Sequence, residues 1–218
     1  MRLFSWVPFA QAPMTIRLHR GDLPDLTHYR GDAVALDTET MGLDPHRDRL
    51  CVVQLSPGDG SADVVQIPPG TRTAPHLTRL LGDPAVLKIF HFARFDLGTL
   101  QRSFGVMAAP VYCTKIASRL SRTYTDKHGL KDLVRELLAI DLSKQQQLSD
   151  WGASALTDAQ VAYAASDVLH LHALRERLDA MLAREGRTEL AAACFRFLPD
   201  RVRLDLSGWA LEDIFAHS

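Results

Sequence analysis

Short apolar runs separated by turn residues fill the first half of the chain, and apolar positions at helical spacing fill most of the second. Residues 15–18, 33–39, 50–55 and 63–67 have the length and β-branched content of strands. Pro45, then 57–60 (Pro-Gly-Asp-Gly) and 68–70 (Pro-Pro-Gly), mark turns between and after them. Connections this short predict an antiparallel meander. Residues 73–81 read as a helix, 86–90 as a further strand, and Ala93–Phe104 as the helix that follows it. Two more helices, 114–120 and Leu130–Leu138, flank a polar loop, and 142–151 is polar with a Gln run. Thr157 and Gln160 form a capping box that opens a single long helix over 157–184. Strands first, then helices interleaved with strands, predict an α/β domain, a mixed sheet flanked by helices.

Composition narrows this little but excludes some classes. The 218 residues are 46% hydrophobic, with no internal repeat and no Gly/Ser/Pro-rich linker, so one domain is expected over 15–198. Residues 1–14 are expected to be an N-terminal extension. Pro8 and Pro13 break it, which argues against a signal peptide, and Met14 is an alternative start. The stretch 199–218 is expected to be a C-terminal tail; with its apolar groups it docks on its own domain or contacts another copy. No apolar run approaches the roughly 18–20 residues that span a membrane, so none is expected as a partner. Cys51, Cys113 and Cys194 are odd in number and widely spaced, which suits a reducing cytoplasm. The net charge of −1 lacks the basic excess of proteins that grip long nucleic acid, and so favours a short substrate.

Acids interrupt the apolar pattern at three places. The run 34–39 ends in Asp37 and Glu39, which a strand's period of two puts on one face. Two acids side by side in an apolar setting repel and lose hydration, an objection that a bound cation removes. Asp96, in the stretch 91–96 (HFARFD), is expected near a helix start just past a strand end. Tyr163 and Asp167 stand one helical turn apart and share a face. Each motif alone has a plainer explanation: surface charge, a helix-capping acid, an interfacial tyrosine beside a solvated acid. Their conjunction, in order and on suitable elements, favours one site. Carboxylates suit Mg2+ and Mn2+, and two such ions clamp an in-line displacement at phosphorus. Asp37 is expected to bridge the ions, Glu39 and Asp167 to complete the nucleophile-side site, and Asp96 to help hold the other through water. Tyr163 would orient the attacking water, or deprotonate it with a metal's help, since a free phenol has a pKa near ~10.

These residues resemble the DEDDy branch of the DnaQ-like 3'-5' exonucleases, which have a ribonuclease H-like fold. Asp37 and Glu39 match the first motif, Asp96 the second, and Tyr163 with Asp167 the third. HGLKDLV (128–134), SDW (149–151) and YAASDVLHLHAL (163–174) are similar to ribonuclease D, and the resemblance covers about 15–185. It implies two Mg2+ or Mn2+ ions, hydrolysis from the 3' end and release of nucleoside 5'-monophosphates. The helical accessory domains of ribonuclease D do not fit in this length. A stand-alone domain resembles the alphaproteobacterial nanoRNase C family, which implies short single-stranded RNA, above all dinucleotides, as substrate and a homo-oligomer, an octamer, as assembly. The segment Thr40, Met41, Gly42 and Leu43 is expected to form the floor under the substrate, and Thr38 to bind it as well. Leu43 would be a wedge between the two bases, with ordinary core as the alternative. Expected phosphate contacts are His91, which stands where many relatives carry Asn, together with Arg94, Lys115, Lys144 and Gln147. The competing expectations are a general exonuclease for longer single strands of RNA or DNA, a non-catalytic nucleic-acid-binding module, and a metal-dependent phosphatase.

Overall fold

The computed structural model of the chain describes residues 15–143, 146 and 148–217. The expected N-terminal extension, Lys144 and Gln147 lie outside the described residues. The elements run β1 (Thr15–Arg20), β2 (Ala33–Thr40), β3 (Leu50–Ser56), β4 (Ser61–Gln66), α1 (Pro75–Gly82), β5 (Leu87–Phe90), α2 (Ala93–Phe104), β6 (Val111–Cys113), α3 (Thr114–Ser121), α4 (Leu130–Leu138), α5 (Asp158–Leu169), α6 (Leu171–Arg184) and α7 (Thr188–Leu204). The strands form one sheet in the order β1-β4-β3-β2-β5-β6. β2, β3 and β4 make the expected antiparallel meander. β1 adds to β4 in parallel, and β5 and β6 extend β2 in parallel.

Helices cover both faces, which is why β3 is buried along its whole length. Strand alternation then sorts β2. Val34 and Leu36 point to one face, among Leu80 of α1, Leu97 and Leu100 of α2, and Leu198 and Val202 of α7. Ala33 and Ala35 point to the other, among Ala164, Ala165 and Val168 of α5 and Leu171 and Leu174 of α6. By the same alternation Asp37 and Glu39 belong to the face of α5, and Thr38 to the face of α2. Among the described residues, no helix is long and apolar enough to cross a membrane.

Three elements depart from expectation. The long helix over 157–184 is two helices that meet at His170. No Gly or Pro marks the joint, and buried Val168, Leu171 and Leu174 keep helical spacing across it, so the pattern reads as continuous. β6 has three residues, too few to display a period. α7 runs through the boundary expected at 198/199, with Pro199 inside it. Proline usually ends or kinks a helix; here buried Leu198 and Val202 dock both sides of it on the core. The capping box is present as expected, with Gln160 N–H donating to Thr157 Oγ1 at 3.2 Å and Thr157 N–H to Gln160 Oε1 at 3.0 Å.

Candidate functional site

The end of β2 meets α5 at a cleft of about 330 Å³. Asp37, Glu39, Tyr163 and Asp167 line it together with His91 and Lys115. One oxygen each from Asp37, Glu39 and Asp167 lie within 4.8 Å of one another. Asp96 stands behind them in the first turn of α2, buried at 2% exposure. Thr38 on the α2 face of β2 donates to its Oδ1 at 2.7 Å. The adjacent residues of β2 thus serve two ends of one site: Asp37 and Glu39 are presented to the cleft, while Thr38 fixes Asp96.

These acids lack cationic partners among the described residues. Asp37 receives Gln54 Nε2 at 3.1 Å, and the Tyr163 hydroxyl stands beside Asp167. Burial pushes Asp37 well above the usual carboxylate range, and the charges of Asp96, Asp167 and Glu39 add to it. Burial, then Asp167 and Asp96, pushes Glu39 up to about 8. Burial raises Asp96 to about 7 against the opposing hydrogen bond from Thr38, and Asp167 to about 7 against the opposing influence of the Tyr163 hydroxyl. Burial and the neighbouring acids also raise the Tyr163 phenol. Converging oxygens with elevated proton affinity are a donor set that a hard divalent cation fits: it would replace the missing positive charge without altering the backbone.

The remaining expected residues separate by location. Leu43 is 85% exposed, which rules out ordinary core, and Met41 is exposed too. Their loop is closed by Met41 N–H donating to Arg49 O at 3.1 Å and Asp48 N–H to Asp44 O at 2.7 Å. A Cβ at Gly42 would meet the Asp48 carboxylate, which would have to move aside. Thr38 is buried and engaged with Asp96 rather than facing the cleft. Arg94 is held away from the acids: its guanidinium donates to Asp205 at 2.5 and 2.7 Å and to Ala210 O at 3.0 Å. Trp151 is buried and packs against Tyr163, with ring centroids 6.0 Å apart.

Several lining residues escaped the sequence reading. Phe92 links β5 to α2 in the left-handed conformation, at φ 69° and ψ 43°, with its ring 45% exposed. A non-glycine residue held there is strained and points to a local constraint. Lys115 Nζ lies 4.3 Å from that ring's centroid, a cation–π contact at the cleft edge. Lys131 and Asp132 also line the cleft, at the start of α4. Their signal was present in HGLKDLV. Arg122, fully buried, holds the loop before them by donating to Ser118 Oγ at 2.9 Å and Lys127 O at 2.8 Å and by pairing with Glu136.

Comparison with known proteins gives a consistent result. The 3'-5' exonuclease family matches residues 25–183. Ribonuclease D of Gluconacetobacter diazotrophicus is 38% identical over 167 residues, covering 77% of this chain and 42% of that protein. The chain therefore spans about two fifths of the length of this curated relative. The solved structure of Brucella melitensis NrnC with bound Mg2+ superposes with a TM-score of 0.91 at 61% identity, covering 94% of this chain and 100% of that one. The same protein bound to pGG gives 0.92 at 62%, with the same coverage. The mixed six-stranded sheet between helices is the ribonuclease H-like fold expected from the resemblance.

Proposed function

The chain belongs to the 3'-5' exonuclease family, and on that premise we propose that it hydrolyses very short RNA, preferentially dinucleotides, to nucleoside 5'-monophosphates. The observation that carries the proposal is the similarity, over the full length of the other chain, to Brucella NrnC bound to pGG, a dinucleotide. The even charge of this chain points the same way, since a long strand would call for a basic track.

Two divalent ions, Mg2+ or Mn2+, would be held by Asp37, Glu39 and Asp167, with Asp96 supporting the second. When bound they would supply charge neutralisation at the scissile phosphate and lower the pKa of the attacking water. The chain's own residues set the geometry. Asp37 and Glu39 are fixed by adjacent register on β2, against Gln54 and Val52 of β3. Thr38 orients Asp96. Tyr163 stands beside Asp167 on the same face of α5, and burial and the neighbouring acids raise its phenol. It would orient the attacking water, or deprotonate it with a metal's help. Exposed Leu43 would separate two bases, and Lys115 at the cleft edge would meet a phosphate; Lys144 and Gln147 are further proposed phosphate contacts. The exposed apolar side chains of the tail, Leu211 and Phe215 among them, suit contact with another copy in a cytoplasmic homo-oligomer.

End-labelled RNA of two, three, five, ten and twenty nucleotides, with Mg2+ and with EDTA, tests the proposal. The expected result is fastest cleavage at two nucleotides and none in EDTA. Equal rates at every length would instead support a general single-strand exonuclease.

A further inference from the structure

His91 follows directly on β5 and lines the cleft beside Phe92 and Lys115. Its Nδ1 stands 2.9 Å from Thr114 Oγ1, and that oxygen stands 3.2 Å from Phe90 O. A hydroxyl carries one proton, and a carbonyl only accepts. Both hydrogen bonds are made together only if Thr114 donates to Phe90 and His91 Nδ1–H donates to Thr114. Burial, and then the charge of Lys115, lower the imidazole pKa to about 3, so the ring is neutral. A neutral ring with its proton on Nδ1 presents Nε2 as a lone-pair acceptor. Among the described residues, no protein group bonds to Nε2. The nearby Lys115 charge favours a lone pair there over a second N–H. A phosphate oxygen is also an acceptor, so it is the wrong partner for this atom. The groups of a short RNA that can donate along the backbone are its ribose hydroxyls.

We propose that His91 Nε2 accepts a hydrogen bond from a ribose hydroxyl of the substrate, so that His91 reads the sugar and Thr114 is the positioning residue that sets its tautomer. The proposal rests on the nuclease function above and deepens it: the phosphate contact expected of His91 becomes a sugar contact, and where the hydroxyl read is a 2'-hydroxyl, a preference for RNA acquires a physical origin.

The test uses the full chain, Mg2+ and four substrates: pGG, its analogues lacking the 2'-hydroxyl at either nucleotide, and the analogue lacking the terminal 3'-hydroxyl. The expected result is that one analogue loses about tenfold in kcat/KM with the wild-type enzyme. His91→Asn keeps a donor toward Thr114 but removes Nε2. It should bring that analogue and pGG to within about twofold of each other. A purely structural role would slow all four substrates equally. Thr114→Val should reduce the ratio and Thr114→Ser retain it, which keeps the test decisive should His91→Asn fold poorly. The analogue that is slowed identifies which hydroxyl is read. If the wild-type enzyme cleaves pGG but turns over all three analogues equally well, the inference is overturned and the nuclease function stands. An unchanged ratio in His91→Asn overturns it as well. No cleavage of pGG at all overturns both.

Discussion

Asp63 and Asp96 are equally buried, and their fates are opposite. Asp63 on β4, 2% exposed, is surrounded by donors: Arg17 at 2.7 and 2.9 Å, the Tyr29 hydroxyl at 2.6 Å and His19 at 2.7 Å. Burial raises its pKa, but hydrogen bonds from Arg17, Tyr29 and His19 outweigh that and hold it at about 2. Asp96 is as deeply buried, yet among the described residues its one side-chain donor is Thr38, and its pKa rises to about 7. Asp37, Glu39 and Asp167 rise with it. Burial is common to both groups; the partner differs. Where the chain supplies its own cation the acid is structural. Where it withholds one, the acids form a donor set that a divalent cation fits.

The contrast sharpens under substitution. Asp37→Asn or Asp167→Asn should cut kcat/KM on pGG by more than about a hundredfold, because even groups that only orient ligands are worth about 10–100-fold. Their melting temperatures should hold or rise as repulsion is relieved. Melting temperatures that fall sharply would show that these acids stabilise the fold as Asp63 does. Thr38→Val frees Asp96 without removing it, so a loss of about tenfold is expected, read from the same kinetics. Arg17→Met should leave kcat/KM within about twofold but cost about 1–3 kcal/mol in urea denaturation, since it strips a donor from a buried acid.

The sign of the pH dependence separates the two groups as well. The cleft acids have folded pKa values raised above their unfolded ones. Their folded state binds the extra protons between the two values, so metal-free stability falls as pH rises from about 4 toward 8. Added Mg2+ should flatten that decline. Asp63 acts in the reverse sense: its contribution is present above the unfolded value and is lost as pH falls toward about 2. Melting curves from pH 3 to 8, with Mg2+ and with EDTA, check both limbs.

Much of this was legible because it is local. The alternation that puts Asp37 and Glu39 on one face, and the helical turn from Tyr163 to Asp167, are properties of single elements. What stayed hidden depends on partners remote in sequence. Thr38 holds Asp96 across 58 residues, and Arg94 is drawn from the cleft by Asp205, 111 residues further on. Periodicity carries no record of such pairings. The break at His170 was masked by unbroken apolar spacing, and the length of α7 by Pro199. Phe92 was missed because a left-handed phenylalanine is a tertiary consequence that its own residue type argues against.

The most direct test of the metal-centre account is calorimetric titration of the metal-free protein with Mg2+. The account predicts saturable binding by the wild type, loss of binding in Asp37→Asn, and wild-type binding in Arg17→Met. Wild-type affinity in Asp37→Asn, or no binding by the wild type, would contradict it.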